Sequence, residues 1–322
     1  MEKTKVLLFG ISGQDGSYMA ELLLDKGHEV HGVIRRASNP NPPYKTEILK
    51  KITTHLADLT DASSIENVIS KVKPDIIFNL AAQSDVRAAY DIPLYTGDAT
   101  GLGFTRILEA ARKHCPEAKI YQAGSSEMFG KVQEVPQTEK TPFWPRSPYG
   151  CAKVYAFYLG KVYRESYGMK IYNGILFNHE SPRRGELFVT KKIVKAAVEI
   201  FLGKRDKIKL GNLLSKRDWG YSKEYMEIIY EFVTTQEPQD FVVATGETHT
   251  IEEFVKETFD HLGLGDWKSY VEFDPNLLRP AEVDLLIGDM SKVKELFGRD
   301  PITVRFKDLV EIMVENELKD NK

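Results

Sequence analysis

Tyr149 and Lys153 stand four residues apart, and their types and spacing could do proton chemistry. In a helix that interval puts both side chains on one face. A free tyrosine has a pKa of about 10 and is a poor base near neutrality. A neighbouring ammonium favours the phenolate and lowers that value. The pair could then exchange a proton with a hydroxyl while hydride moves to or from a second group. Y-x-x-x-K arises by chance, so its weight depends on its surroundings. Upstream, Ser125-Ser126-Glu127 offers hydroxyls and a carboxylate, a string that alone often only caps a turn.

A second constellation supplies the missing group. Gly10-Ile11-Ser12-Gly13-Gln14-Asp15-Gly16 follows the apolar run Val6–Phe9 and opens a predicted helix over Gln14–Lys26, closed by Gly27. The spacing G-x-x-G-x-x-G in a strand-turn-helix setting is a dinucleotide fingerprint. Glycines allow a tight turn, and the helix N-terminus presents free N–H groups to a pyrophosphate. Gly10, Gly13, Gln14, Asp15 and Gly16 are therefore candidate cofactor residues. An NAD site carries an acid at the end of the second strand. Here the string is Ile34-Arg35-Arg36, and a guanidinium there suits a 2′-phosphate, so NADP is expected over NAD. Asp58 and Leu59, after the third strand, are placed near the adenine. Leu80, Ala81, Ala82, Gln83 and Ser84, after the fourth, are placed along the cofactor riboses.

The elements that must position these groups follow from periodicity. Val30–Ile34 reads as a second buried strand. Ile65, Val68, Ile69 and Val72 fall on one helical face, and Pro74 ends that helix before Ile76-Ile77-Phe78. A helix around Arg106–Lys113, a strand at Lys119–Ala123, a helix over Ser147–Ser166 and a strand at Ile171–Leu176 continue the alternation. Strand and helix in turn predict a Rossmann-type doubly wound parallel sheet, an α/β fold. Beyond residue 178 the texture changes. Asn178–Glu186 reads as a polar, Arg-rich loop, then come a helix at Ile193–Phe201, a strand at Phe241–Ala244, a helix at Ile251–Leu262 and a loop at Pro275–Pro280. The expected division is a cofactor domain over 1–177, with about 215–245 interwoven. A smaller α/β substrate-binding lobe takes about 178–214 and 246–322.

The 322 residues, 42% hydrophobic and 28% charged, describe an ordinary globular chain. A net charge of −3 argues against nucleic acid as a partner. No apolar run reaches the length of a membrane span. The start, Met1-Glu2-Lys3-Thr4-Lys5, runs straight into a strand and leaves no room for a signal peptide. Cys115 and Cys151 make neither a metal spacing nor a disulfide framework, which predicts a reduced, cytoplasmic setting and no metal.

The glycine turn with Tyr149-x-x-x-Lys153 resembles the extended short-chain dehydrogenase/reductase family. Within it, several strings resemble the GDP-mannose 4,6-dehydratases. They include Gly13-Gln14-Asp15-Gly16-Ser17-Tyr18, Arg35-Arg36-Ala37-Ser38, Pro145-Arg146-Ser147-Pro148-Tyr149 and the long run Asn173–Gly185. Phe188-Val189-Thr190, Arg217-Asp218-Trp219-Gly220 and Arg279-Pro280-Ala281-Glu282-Val283 extend the likeness over nearly the whole chain.

The resemblance implies a set of roles. Tyr149, Lys153, Ser125 and Glu127 would be catalytic, with Glu127 as the acid/base. Tyr95, His179 and Arg184 would join the cofactor residues. Asn178, Val189, Lys192, Gly211, Arg217, Arg279 and Glu282 would hold a GDP-sugar. The implied reaction is C4 oxidation, loss of water across C5–C6 and hydride return to C6. The loop Arg35–Pro43 would reach a neighbouring subunit of a homotetramer or dimer. Three positions depart from the pattern: Ser125 replaces threonine, Gly124 replaces a small hydroxyl residue, and Ala89 replaces a serine expected close to the sugar. The Ala89 departure keeps a GDP-heptose open as substrate. A GDP-sugar reductase or epimerase, and a non-catalytic NADP-binding sensor, complete the alternatives.

Overall fold

The computed structural model describes residues 3–35 and 47–321. Seven strands pair in parallel: β1 (Lys5–Phe9), β2 (Glu29–Ile34), β3 (Thr53–Leu56), β4 (Ile76–Asn79), β5 (Lys119–Ala123), β6 (Lys170–Leu176) and β7 (Asp240–Val243). Their order is β7-β6-β5-β4-β1-β2-β3. Val6 faces Val30 on one side and Ile76 on the other, so the first strand sits inside the sheet.

Both faces of the sheet are covered, which explains why its inner strands are apolar without alternation. Val6 and Leu8 pack with α1 (Gln14–Asp25) and α6 (Ser222–Thr235) through Met19, Leu23, Ile229 and Phe232. Leu7 and Phe9 point the other way, toward α2 (Ala62–Val72), α3 (Gly103–His114) and α4 (Pro148–Tyr167), where Ile65, Ile69, Phe104 and Ile107 meet them. Burying each such large side chain contributes about 1.5–3 kcal/mol. Helix α3 is preceded by a π-helical stretch, Gly97–Leu102. In it the Thr100 hydroxyl accepts the Gln83 N–H at 3.1 Å.

A separate apolar cluster joins α5 (Val189–Phe201), α7 (Ile251–His261) and α9 (Phe306–Asp320), with Ile193, Phe254, Leu309 and Met313 at its centre. Helix α8 (Ser291–Phe297) packs at β7. The buried Lys191 on α5 reaches Glu317 on α9 at 2.6 Å and donates to the Pro182 carbonyl at 3.0 Å. That pair fixes the segment between β6 and α5 onto the last helix.

One expectation is corrected. Asn178–Glu186 is not loop throughout, because Asn178–Glu180 forms a short strand paired in parallel with Trp219–Tyr221. Three residues cannot show a period, and the partner lies some forty residues on. Among the described residues, no helix is long and apolar enough to cross a membrane.

Candidate active site

The C-terminal ends of the sheet strands open into a cavity of about 700 Å³. Every residue given a catalytic, cofactor or GDP-sugar role from the sequence lines it. On one side runs the glycine turn. Gly10 has φ +85°, and a Cβ there would lie 2.8 Å from the Ala81 nitrogen. A Cβ on Gly16 would lie 2.2 Å from the Gly10 oxygen. Gly13 caps α1 without any side-chain bond, so the first-turn N–H groups stay available to an anion. These features fit a dinucleotide pyrophosphate.

The acid in that turn is neutralised internally. Asp15 pairs with His179 Nε2 at 3.0 Å and accepts from the Ser222 hydroxyl at 2.9 Å and Gln14 at 3.1 Å. Burial would raise its carboxyl, but the His179 charge and hydrogen bonds outweigh that and hold it well below the usual range. Burial likewise disfavours the imidazolium, and Asp15 reverses the sign, so His179 sits above its ordinary value. The ring is fixed by the Phe177 carbonyl at 2.7 Å and by stacking on Tyr225 at 4.9 Å between centroids. At the far end of the turn side, Arg35 donates to the Tyr95 hydroxyl at 2.6 Å. Asp58, Leu59 and the Leu80–Ser84 segment line the wall between them.

Tyr149 and Lys153 lie one turn apart on α4. That helix starts where Ser147 accepts the Gly150 N–H at 3.0 Å and Pro148 occupies the first turn. Both side chains are buried. Lys153 Nζ donates to the Ala123 carbonyl at 2.7 Å, at the end of β5, and stands 5.7 Å from the Tyr149 ring centre. Burial pulls the Lys153 ammonium down to about 8. The Tyr149 phenol moves opposite to the lowering expected from a nearby ammonium. Burial pushes it up to about 12, partly offset by a hydrogen bond with Ser125. The Ser125 hydroxyl also accepts the Glu127 N–H at 3.2 Å, capping the short 3-10 turn Ser126–Met128.

Glu127 faces the second half of the cavity. Its carboxylate, nearly buried, meets Arg279 Nη1 at 3.1 Å. Arg279 in turn places its backbone N–H on Glu282 at 2.9 Å. Arg217 is buried beside them and donates to the Val283 and Lys216 carbonyls at 2.7 and 2.9 Å. Burial lowers the Arg217 guanidinium from its ordinary value, while the Glu127, Glu282 and Asp284 carboxylates oppose that. Asp218 next to it anchors the surrounding loops, accepting from Thr245, Gly246 and Gly288. Asn178 Oδ1 is buried against the same space and accepts no hydrogen bond. The arrangement offers cations and polar groups for a charged ligand, with a carboxylate held between them and Tyr149.

Two departures from the expected pattern find their reasons here. Ala89 is fully buried and does not line the cavity, so its missing hydroxyl is not felt there. A Cβ on Gly124 would lie 2.6 Å from the Gly174 oxygen, so β5 and β6 approach too closely for a side chain. Several contributors escaped the sequence reading. Ser222 and Tyr225, which fix Asp15 and His179, follow no motif, and Ser222 lies 207 residues from Asp15. Arg87, Asn212, Ser215 and Asn276 also line the cavity. Arg36–Pro43, most of the loop expected to reach a neighbour, lies outside the described residues. Among the described residues, no group of three His, Cys, Asp or Glu is arranged to hold a metal ion.

The chain matches the GDP-mannose 4,6 dehydratase family over residues 7–313. It is 50% identical to GDP-mannose 4,6 dehydratase 2 of Arabidopsis thaliana, covering 97% of this chain and 86% of that one. It is 44% identical to the Homo sapiens GDP-mannose 4,6 dehydratase, covering 97% and 91%. Among solved structures, a Thermus thermophilus UDP-glucose 4-epimerase complex with NAD superposes with TM-score 0.85 at 24% identity, covering 98% and 99%.

Proposed function

The chain belongs to the GDP-mannose 4,6-dehydratase family, and on that premise we propose that it converts GDP-mannose to GDP-4-keto-6-deoxymannose. The observation that carries this reading is Glu127 sharing one cavity with Tyr149, Lys153 and the Arg217–Arg279 cluster. A simple reductase or epimerase has no use for a carboxylate at that point.

The cofactor is taken to be NADP, on the strength of Arg35 at the end of β2, where an acid would favour NAD. Bound NADP⁺ supplies the chemistry of taking hydride from C4 and returning it to C6. Tyr149 removes the 4-OH proton, and Ser125 holds its phenol in place. The resulting ketone acidifies the C5 proton, which Glu127 takes. Glu127 and Ser125 deliver a proton to the departing 6-OH, and water leaves. A proton then returns to C5, so the net reaction is that of a hydro-lyase. A carboxylate suits the middle step because it acts first as base and then as acid.

Asn178, Val189, Lys192, Gly211, Arg217, Arg279 and Glu282 are assigned to the GDP-sugar, and the unsatisfied Asn178 Oδ1 supports that side of the assignment. Residues 1–177 with about 215–245 serve the cofactor, and about 178–214 with 246–322 serve the sugar nucleotide. A homotetramer or dimer completed by the Arg35–Pro43 loop, and a reduced cytoplasmic setting consistent with the free Cys115 and Cys151, belong to the same proposal. Ala89 lying outside the cavity supports mannose over a heptose.

The test is incubation with GDP-mannose and a GDP-manno-heptose side by side, without added NADPH, with 4-keto products followed by mass spectrometry. Glu127→Gln should lower turnover by about 10²–10⁴-fold, the usual contribution of a general acid/base, while hydride exchange at C4 persists. Undiminished dehydration by that variant removes Glu127 from the role.

A further inference from the structure

Arg279 stands between two parts of the site that carry separate chemistry. Its Nη1 donates to the Glu127 carboxylate at 3.1 Å, and its backbone N–H donates to Glu282 at 2.9 Å. No other hydrogen bond from this guanidinium runs to a described residue, although the group has five N–H donors in a fork that matches phosphate as well as carboxylate. Glu127 is nearly buried, and a buried carboxylate stripped of its cation is costly. Arg217 stands close enough to Glu127 and Glu282 for their charges to act on it, but its own Nη1 donates to two backbone carbonyls. Arg279 is therefore the one hydrogen-bonded cation of Glu127 among the described residues.

The geometry points to Arg279 as a coupling residue that holds the Glu127 carboxylate until a diphosphate arrives, then transfers its guanidinium to the diphosphate and leaves Glu127 free toward the sugar. This rests on the reading of Glu127 as the acid/base and of the cavity as a GDP-sugar site. The base is kept engaged when no nucleotide is present, and occupancy at the diphosphate end is reported to the reacting end through one side chain. Arg279 is a positioning residue in this scheme, since it acts on the sugar only through Glu127.

Coupling of this kind is reciprocal. If diphosphate binding must break the Arg279–Glu127 pair, weakening that pair must tighten diphosphate binding. The experiment is a double-variant cycle on GDP affinity, measured by titration with saturating NADP⁺. Glu127→Gln leaves Arg279 with a neutral partner. In that variant GDP should bind about 5-fold tighter or more, the low end of measured site–site coupling. Guanosine, which lacks the diphosphate, should bind unchanged. In the Arg279→Gln background, Glu127→Gln should change GDP affinity by less than about 2-fold, within ordinary additivity. Arg279→Lys keeps a cation and should restore part of the coupling, which also covers the case of a Gln variant that folds poorly.

Equal tightening in both backgrounds would mean simple charge repulsion between Glu127 and the diphosphate, and would overturn the inference. So would unchanged or weaker GDP binding in Glu127→Gln. Failure of the wild type to bind GDP at all sinks the site reading and the inference together, whereas GDP binding without coupling sinks the inference alone.

Discussion

The two ends of the cavity are built from different materials. The Gly10–Gly16 turn is made by backbone: a left-handed glycine, a second glycine pressed against the first, and a helix end with no side-chain cap. Its one acid is neutralised by His179. The other end is made by side-chain charge. Glu127, Arg217 and the Arg279–Glu282 stretch come from three separate segments, and their charges balance one another. A backbone site leaves little to adjust, while a charge cluster can exchange partners. On the proposed assignment, the difference separates the part that would hold a cofactor through turnover from the part that would admit and release a substrate.

That contrast can be broken in several ways, beginning with the largest effect. Lys191→Met leaves Glu317 buried without its cation and should destabilise the fold by about 3–5 kcal/mol, read as thermal unfolding. GDP affinity should suffer in the folded fraction while dinucleotide affinity holds. Equal losses at both ends would mean the two are one rigid unit. Gly16→Ala inserts a methyl 2.2 Å from the Gly10 oxygen. Overpacking of about 1–3 kcal/mol should weaken dinucleotide binding about 10–100-fold, with GDP affinity nearly unchanged. An unaffected dinucleotide Kd would show that the turn is not the binding element.

A smaller effect is read from pH. Lys153, held down to about 8 by burial, carries its proton below that value and loses it above. If the ammonium is needed, kcat should fall by up to about tenfold per pH unit on the alkaline side, as for one essential proton. Lys153→Arg, if active, should keep its plateau to beyond about pH 10 because a guanidinium does not deprotonate there. A wild-type rate flat to that pH would exclude the ammonium from the mechanism. The smallest effect is at Ala89, which is buried away from the cavity. Ala89→Ser should leave kcat/KM for GDP-mannose within about twofold, as for sites without shared contacts. A large gain would return the residue to the sugar pocket.

The same contrast explains what could be read from the chain. The sheet was legible because strands covered on both faces appear as apolar runs, as Val6–Phe9 and Ile76–Phe78 do. The glycine turn was legible because its constraints fall on neighbours in sequence. The Tyr149–Lys153 pair was legible from helical spacing together with its place after the fifth strand of the sheet. The charged end was not legible in geometry. Arg279 meets Glu127 across 152 positions, and Ser222 meets Asp15 across 207, with no local pattern at either partner. Resemblance named the cluster's members but not who touches whom. It also drew Ala89 toward the sugar, whereas the residue is fully buried and absent from the cavity lining.

The buried pair between Lys191 and Glu317 has a consequence in time. Its two residues are separated by 126 positions. A chain made from its N-terminus shows the glycine turn and its strands to solvent early, and domains generally begin folding as they emerge. The Pro182 segment has no final anchor until Glu317 has been added. During synthesis the glycine-turn end, whose last partner Ser222 is made earlier, can therefore be assembled before the end that depends on Glu317, and on the proposed assignment the cofactor site would precede the substrate site.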